Sequence, residues 1–358
     1  MSARGSGLGR SGRLHSLDGL RALAVVMVFA SHVHQSTLTG GFIGVDVFFV
    51  LSGYLITWML LREHAATGAI SLPRFYMRRV LRLYPALIGT VILATLLALY
   101  FGWGRPGWDA LAASTYVMDF YGSTTQYFSP LLHTWSLAVE EQFYLVWPAI
   151  LLVGLRKGWN MPRVVIGLIA ASIAVTAFIG LAHVGYANRV QYLPCSHLTE
   201  LGTGILLAFA VQSGNLGLVR RLSGTTLTAV CIVLLFVGLY ALPSRWWAFP
   251  LVVLVCWPPV AHLVTRPETW ISRAFSLRGA VWLGERSYGF YLWHYPILAA
   301  ILSSGLVHGV TPAAVVACLI ATELSWRFIE QPFLRMKQRF EPTTVPPAHR
   351  VWSQNATP

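Results

Sequence analysis

The feature that most constrains this chain is the recurrence of apolar runs about twenty residues long, such as VVIGLIAASIAVTAFIGL from residue 164. A run of that length matches the hydrocarbon thickness of a bilayer at the rise of an α-helix. The runs are continuous rather than amphipathic, so their surfaces suit lipid and other helices better than water. Composition agrees: 56% of residues are hydrophobic and 11% are charged, against about 25% charged in soluble domains. The reading is an all-α polytopic membrane protein with about ten transmembrane helices. They lie roughly at 17–36, 42–62, 83–102, 136–155, 164–184, 197–212, 225–241, 247–264, 281–304 and 311–334.

Basic residues set the orientation. With the N-terminus in the cytoplasm, Arg105, Arg189 and Arg245 fall outside, and the other 23 of 26 Lys and Arg lie inside or at inner helix ends. That asymmetry is the positive-inside pattern, and it explains a net charge of +13 without nucleic acid. Segment 108–121 (WDALAASTYVMDFY) is short and carries two Asp. Spanning it would invert every later basic loop, so it is read as re-entrant or interfacial near the outer face. Both termini are then cytoplasmic. Residues 1–16 read as a disordered tail, 17–335 as the membrane domain and 336–358 as a second tail. The basic start and first apolar run mimic a signal peptide but lack a small-x-small cleavage site, which predicts a retained first helix. Cys195, Cys231, Cys256 and Cys318 form no motif, so neither a disulfide framework nor a metal site is expected.

Ionisable groups are costly inside a bilayer, so each one within a span is a functional candidate. In LDGLRALAVVMVFASHVH, Arg21 and His32 are eleven residues apart, about three turns and roughly 16 Å along one helix face. His32 is the candidate general base, because imidazole titrates near neutral pH. In RFYMRRVLRLYP, Arg78, Arg79 and Arg82 suggest a phosphate clamp through guanidinium forks, with Phe75 and Tyr76 able to stack an adenine. Inside-positive topology alone is the plainer reading of those arginines. In HTWSLAVEEQFYLVWP, Glu140 and Glu141 lie about 100° apart on one helix. Glu140 is a candidate to orient His32, and Trp135 and Glu141 to bind an acceptor. Asp46, near the outer face, is a second candidate to orient His32, or to bind acceptor, and equally a helix-terminus acid, and His294 in LGERSYGFYLWHYPI is a packing or acceptor-binding histidine. Ser52-Gly53 suggests close helix packing. Arg327 and Glu330 read as a structural ion pair, and Glu323 needs a partner that the sequence does not name.

The depths form a pattern, with arginines at the inner end and His32, Glu140, Asp46 and His294 in the outer half. About 15–20 Å separates the groups by helix rise, comparable with an extended pantetheine arm.

Taken together, LDGLRALAVVMVFASH, GFIGVDVFFVLSGYLIT, FYMRRVLRLYP, HTWSLAVEEQFYLVWP, LGERSYGFYLWHYPI and WRFIEQP resemble acyltransferase family 3 over about residues 14–335. Members of that family O-acylate bacterial surface glycans, nodulation factors and some macrolides. The family's arginine-x10-histidine element matches Arg21 and His32. Its R-x-x-R element matches Arg79 and Arg82, and its tryptophan-serine-leucine-x-x-glutamate element matches Trp135, Ser136 and Glu140. The resemblance implies ten helices in the plasma membrane, and acyl-CoA as donor substrate rather than a permanently bound cofactor. It implies transfer, by default of acetyl, to a carbohydrate, glycolipid or macrolide hydroxyl, through base catalysis or an acyl-imidazole. Some relatives carry a further soluble hydrolase-like domain, for which the chain leaves no room, so a stand-alone form is expected. Many place an arginine at the outer start of the sixth helix; here CSHLTELGTGILLA puts His197 there, as an acceptor-binding candidate, with Glu200 following. The rival class is a proton-coupled transporter. It predicts inverted repeats and paired broken helices, neither of which is visible in the sequence.

Overall fold

Each apolar run folds as a helix because, without water, only intra-segment hydrogen bonds satisfy the backbone. The computed structural model describes residues 14–182, 187–242, 247–305 and 310–340, and no strand occurs among them. The long helices are α1 (His15–Val33), α2 (Phe42–Thr67), α3 (Leu72–Phe101), α6 (Trp135–Arg156), α7 (Met161–Leu181), α8 (Leu198–Gln212), α10 (Thr225–Ala241), α11 (Ala248–Thr265), α14 (Ser287–Ser303) and α15 (Val310–Leu324). Short helices connect them: α4 (Pro106–Ser114), α5 (Met118–Thr124), α9 (Gly217–Leu222), α12 (Trp270–Phe275), α13 (Arg278–Glu285) and α16 (Gln331–Lys337). Seven segments among the described residues are long and apolar enough to cross a membrane. Of the ten expected spans, α8, α10 and α14 are shorter, at 15, 17 and 17 residues, and α15, itself 15 residues, reaches span length only by continuing through the turns that follow it.

The centre of the bundle is α2, which buries most of its length, while α3 and α7 turn much of theirs outward. Leu96, Leu99, Ile166 and Phe178 are exposed on those outer faces, as lipid contact requires. The most extensive helix pair is α2 with α8. Gly53 lies against the Leu201 backbone and Gly204 against the Val50 backbone, so a Cβ on either would strike main chain. Small residues facing each other in this way let two helices approach closely. Gly53 thus has the packing role expected of Ser52-Gly53, whereas Ser52 turns its hydroxyl to Glu140 and Tyr144.

Segment 108–121 does not cross the bundle. It forms α4 and α5, of nine and seven residues, each too short for a roughly 30 Å core. The turn between them, with Tyr116 at φ 54°, dips inward. The Tyr116 carbonyl accepts from Gln142 Nε2 at 3.0 Å and its ring lies 6.3 Å from Tyr84. Gln142 is seven residues into α6, about 10 Å below the start of that helix.

At the opposite end, Glu323 is held by Arg286 at 2.8 Å and by Arg327 at 2.6 Å. The ion pair expected between Arg327 and Glu330 does not form. Residues Ser325–Glu330 adopt wide π-type turns, which carry positions i and i+3 out of line. Glu330 instead accepts from Ser325 Oγ at 3.1 Å and is buried. Packed structure also continues past residue 335, since the Phe340 carbonyl accepts from Arg78 at 2.8 Å. Residues 1–13 and 341–358 of the expected tails, Arg245 and the Arg189 side chain lie outside the described residues.

Candidate functional site

His32 stands in the last turn of α1, where the helix opens onto a cavity of about 460 Å³. His133, Trp135, Gln191, Tyr192 and Tyr295 also line it. Three histidines gather here. The His32 ring stacks on His294 at 5.1 Å, and the His133 ring meets His294 edge-on at 5.4 Å.

The hydrogen bonds assign the tautomers. His294 Nδ1 faces the Tyr291 carbonyl at 2.6 Å and the Phe290 carbonyl at 3.2 Å. A carbonyl only accepts, so His294 carries its proton on Nδ1 and its Nε2 is an acceptor. His32 Nδ1 lies 2.9 Å from that Nε2 and must donate to it. The remaining nitrogen, His32 Nε2, therefore keeps its lone pair. His133 is fixed likewise: Nε2 donates to the Leu292 carbonyl at 3.2 Å and Nδ1 has no hydrogen-bond partner. His133 is not among the candidates named from the sequence, although a histidine opening an apolar helix is itself a costly residue.

A second cavity, about 70 Å³, lies deeper and receives Arg21 from α1, Arg79 and Arg82 from α3, Ser52 from α2, and Glu140 and Tyr144 from α6. The two arms of the arginine pattern, 58 residues apart in sequence, converge there. The Arg79 guanidinium lies over the Tyr144 ring at 4.4 Å. Glu140 accepts from Ser52 Oγ and from the Tyr144 hydroxyl, the latter at 2.5 Å.

One layer of side chains separates the cavities. Val45 and Tyr291 line both. The Tyr291 hydroxyl donates to the His133 carbonyl at 2.8 Å and accepts from Ser136 Oγ at 2.7 Å. Val45 and the hydrogen-bonded Tyr291 thus stand between the arginine cavity and the His32 cavity.

The structure moves several predicted residues away from their expected roles. Asp46 does not orient His32; its Oδ1 lies 3.5 Å from His197 Nδ1, and Glu200 completes a buried cluster with them. His197 accordingly lies behind the outer cavity, against the Trp135 ring at 5.4 Å, and does not line it. Glu140 does not reach the imidazole either, because it sits below Tyr291 in the inner cavity. His294 occupies the orienting place at His32 instead. Glu141 faces inward, within electrostatic reach of Arg79 and Arg82. Arg78 is one residue from Arg79, hence about 100° around the helix. It is buried against Glu63 at 3.4 Å and the Phe340 carbonyl, as a strut. Tyr76 ties α3 to α6 by donating to the Leu145 carbonyl at 2.8 Å, and Phe75 is fully buried, so Phe75 presents no stacking face for an adenine.

Comparison with known proteins adds the following. A family model described as an acyltransferase domain matches residues 14–327. The chain is 37% identical to the peptidoglycan O-acetyltransferase OatA of Listeria monocytogenes, covering 88% of this chain and 55% of that protein. It is 36% identical to the putative O-acetyltransferase SACOL0978 of Staphylococcus aureus, covering 88% and 56%. It is 35% identical to the putative peptidoglycan O-acetyltransferase YrhL of Bacillus subtilis, covering 88% and 54%. The chain thus spans little more than half the length of these relatives. No solved structure matches it.

Proposed function

Since the chain belongs to acyltransferase family 3, we propose that it is a membrane O-acyltransferase, moving an acetyl group from cytoplasmic acetyl-CoA to a carbohydrate hydroxyl on the outer side. The observation that carries this reading is the tautomer chain ending at His32. The Tyr291 carbonyl fixes His294, His294 fixes His32, and a lone pair on His32 Nε2 is left for an incoming hydroxyl. This is the logic of a catalytic triad with an imidazole in the carboxylate's place.

In the reaction, the acceptor oxygen attacks the thioester carbonyl while His32 Nε2 takes its proton. The tetrahedral intermediate collapses, the C–S bond breaks, and the imidazolium returns its proton to the departing thiolate. Arg21, Arg79 and Arg82 hold donor phosphate near the inner cavity, and the pantetheine arm passes Tyr291. Glu140 stays bonded to Ser52 and Tyr144 and keeps the floor of that path polar. Trp135 and Tyr295 offer the acceptor aromatic faces. Asp46, His197, Arg78 and Tyr76 have no direct part. A peptidoglycan sugar is the proposed acceptor, because OatA of Listeria monocytogenes and YrhL of Bacillus subtilis are named for peptidoglycan. Ten crossings in the plasma membrane, with both termini cytoplasmic, place donor and acceptor on opposite sides.

The test uses the full chain in lipid nanodiscs with radiolabelled acetyl-CoA and a soluble muropeptide. Label should appear on the sugar and vanish in His32→Ala protein of unchanged melting temperature. Label transfer undiminished in that variant would dismiss the histidine mechanism. No transfer from acetyl-CoA by the wild type, with transfer from another acetyl donor, would dismiss the donor.

A further inference from the structure

We propose that Asp46, His197 and Glu200 bind a divalent cation of the zinc or manganese class, which fastens α2 to α8 behind the outer cavity. The reading is independent of acyl transfer. It begins with an imbalance. Asp46 and His197 are 1% exposed and Glu200 is 0% exposed. Both oxygens of each carboxylate, and His197 Nδ1, are buried without a hydrogen-bond partner. Five such atoms facing one another in an apolar interior are costly, since burial removes water and nothing in the protein replaces it.

Protons shared within the cluster fit the geometry poorly. An O–H donor to nitrogen would sit at about 2.7 to 2.9 Å, and Asp46 Oδ1 lies 3.5 Å from His197 Nδ1. That spacing is close to the edge, roughly 3.4 Å, of a tetrahedron of ligands at 2.1 Å from zinc. One ligand atom from each of the three residues lies within 4.8 Å of the others, so small side-chain rotations close the set. The charge also balances, because a dication meets two carboxylates and a neutral imidazole.

The imidazole is prepared in the way metal ligands are. His197 Nε2 donates to the Gln191 carbonyl at 2.8 Å, which fixes the tautomer and leaves the Nδ1 lone pair aimed into the cluster. Phe49, Trp135 and Phe249 enclose the ring at centroid distances of 4.7, 5.4 and 5.3 Å, an apolar shell that excludes water. One nitrogen and carboxylate oxygens suit zinc or manganese rather than soft copper(I), which prefers sulfur. The free second oxygens can complete the coordination sphere. Gln191 and Trp135 both line the outer cavity, so the ion would set the position of that wall.

The experiment purifies the full chain in detergent through a tag without histidine, and measures metal content by mass spectrometry. About one zinc or manganese per chain is expected, falling at least tenfold in a protein carrying Asp46→Asn and Glu200→Gln. X-ray absorption at the metal edge should show nitrogen and oxygen neighbours at about 2.0–2.2 Å with imidazole scattering. If the double variant fails to fold, wild-type stoichiometry and that spectrum decide. Less than about 0.1 ion per wild-type chain after incubation with zinc or manganese overturns the proposal. So does full metal content in a folded double variant, or a spectrum lacking imidazole.

Discussion

His32 donates a hydrogen bond from its Nδ1–H to His294 Nε2 across 2.9 Å, two residues 262 positions apart. Everything His32 offers a substrate follows from that bond, because it decides which nitrogen is free. His32→Ala should lower transfer by roughly 10²–10⁴-fold. His294→Ala, acting through His32, should cost roughly 10–100-fold, mainly in kcat, by analogy with outer-shell partners of catalytic groups. His294→Gln retains an acceptor oxygen and should recover part of the loss. Steady-state kinetics on the three variants check this, and equal rates for His294→Ala and wild type would remove the orienting role.

Tyr291 lines both cavities and is held by the His133 carbonyl and Ser136. Tyr291→Ala should join the two spaces and admit water to the donor thioester. Hydrolysis of acetyl-CoA without acceptor should rise several-fold while transfer falls. Free thiol release, followed with a chromogenic disulfide, measures it. Hydrolysis at the wild-type rate would mean that the tyrosine does not gate the passage.

Arg78 and Arg79 are neighbours with different surroundings, one a buried strut and one at the inner cavity. Arg79→Ala with Arg82→Ala should raise donor KM by roughly tenfold or more, about 1.4 kcal/mol per tenfold, at unchanged melting temperature. Arg78→Ala should do the reverse, because it removes the cation beside the buried Glu63 carboxylate and costs about 3 kcal/mol of stability. Paired thermal melts and donor titrations separate the two, and the same phenotype for both would contradict the assignment.

Gly53 and Gly204 set the distance between α2 and α8. Gly53→Val would press a branched side chain into the Leu201 backbone and should cost about 3 kcal/mol or more. The expected readout is a sharp fall in monodisperse yield and in melting temperature. A variant that melts like wild type would show that the pair tolerates a wider spacing.

How far the sequence was legible follows the physics of each feature. Apolar runs of bilayer length could be read directly, because a helix in lipid satisfies its own backbone hydrogen bonds. Segment 108–121 was readable as a non-spanning piece, because its two Asp and the basic loops beyond it forbade a crossing. Arg21, Arg79 and Arg82 were readable as a group, since each charge in a span demands a reason. The Arg327–Glu330 pair was misread, because i,i+3 alignment presumes α-helical turns and this stretch is π-type. Asp46 was placed beside His32 on depth alone, and depth leaves rotation about the helix axis open.

What the sequence determined by itself is therefore the all-helical, lipid-suited character of the chain and the residues too polar to be idle within it. These depend on local hydrogen bonding and on the free energy of moving a group from water to lipid, which each segment carries alone. Tertiary structure alone decided the partners: His294 rather than a carboxylate at His32, Tyr291 between the cavities, and Asp46 with His197 and Glu200. A hydrogen bond or a ligand set requires atoms within about 3 Å and correctly turned. That is fixed only when helices far apart in sequence pack at one spacing and one rotation.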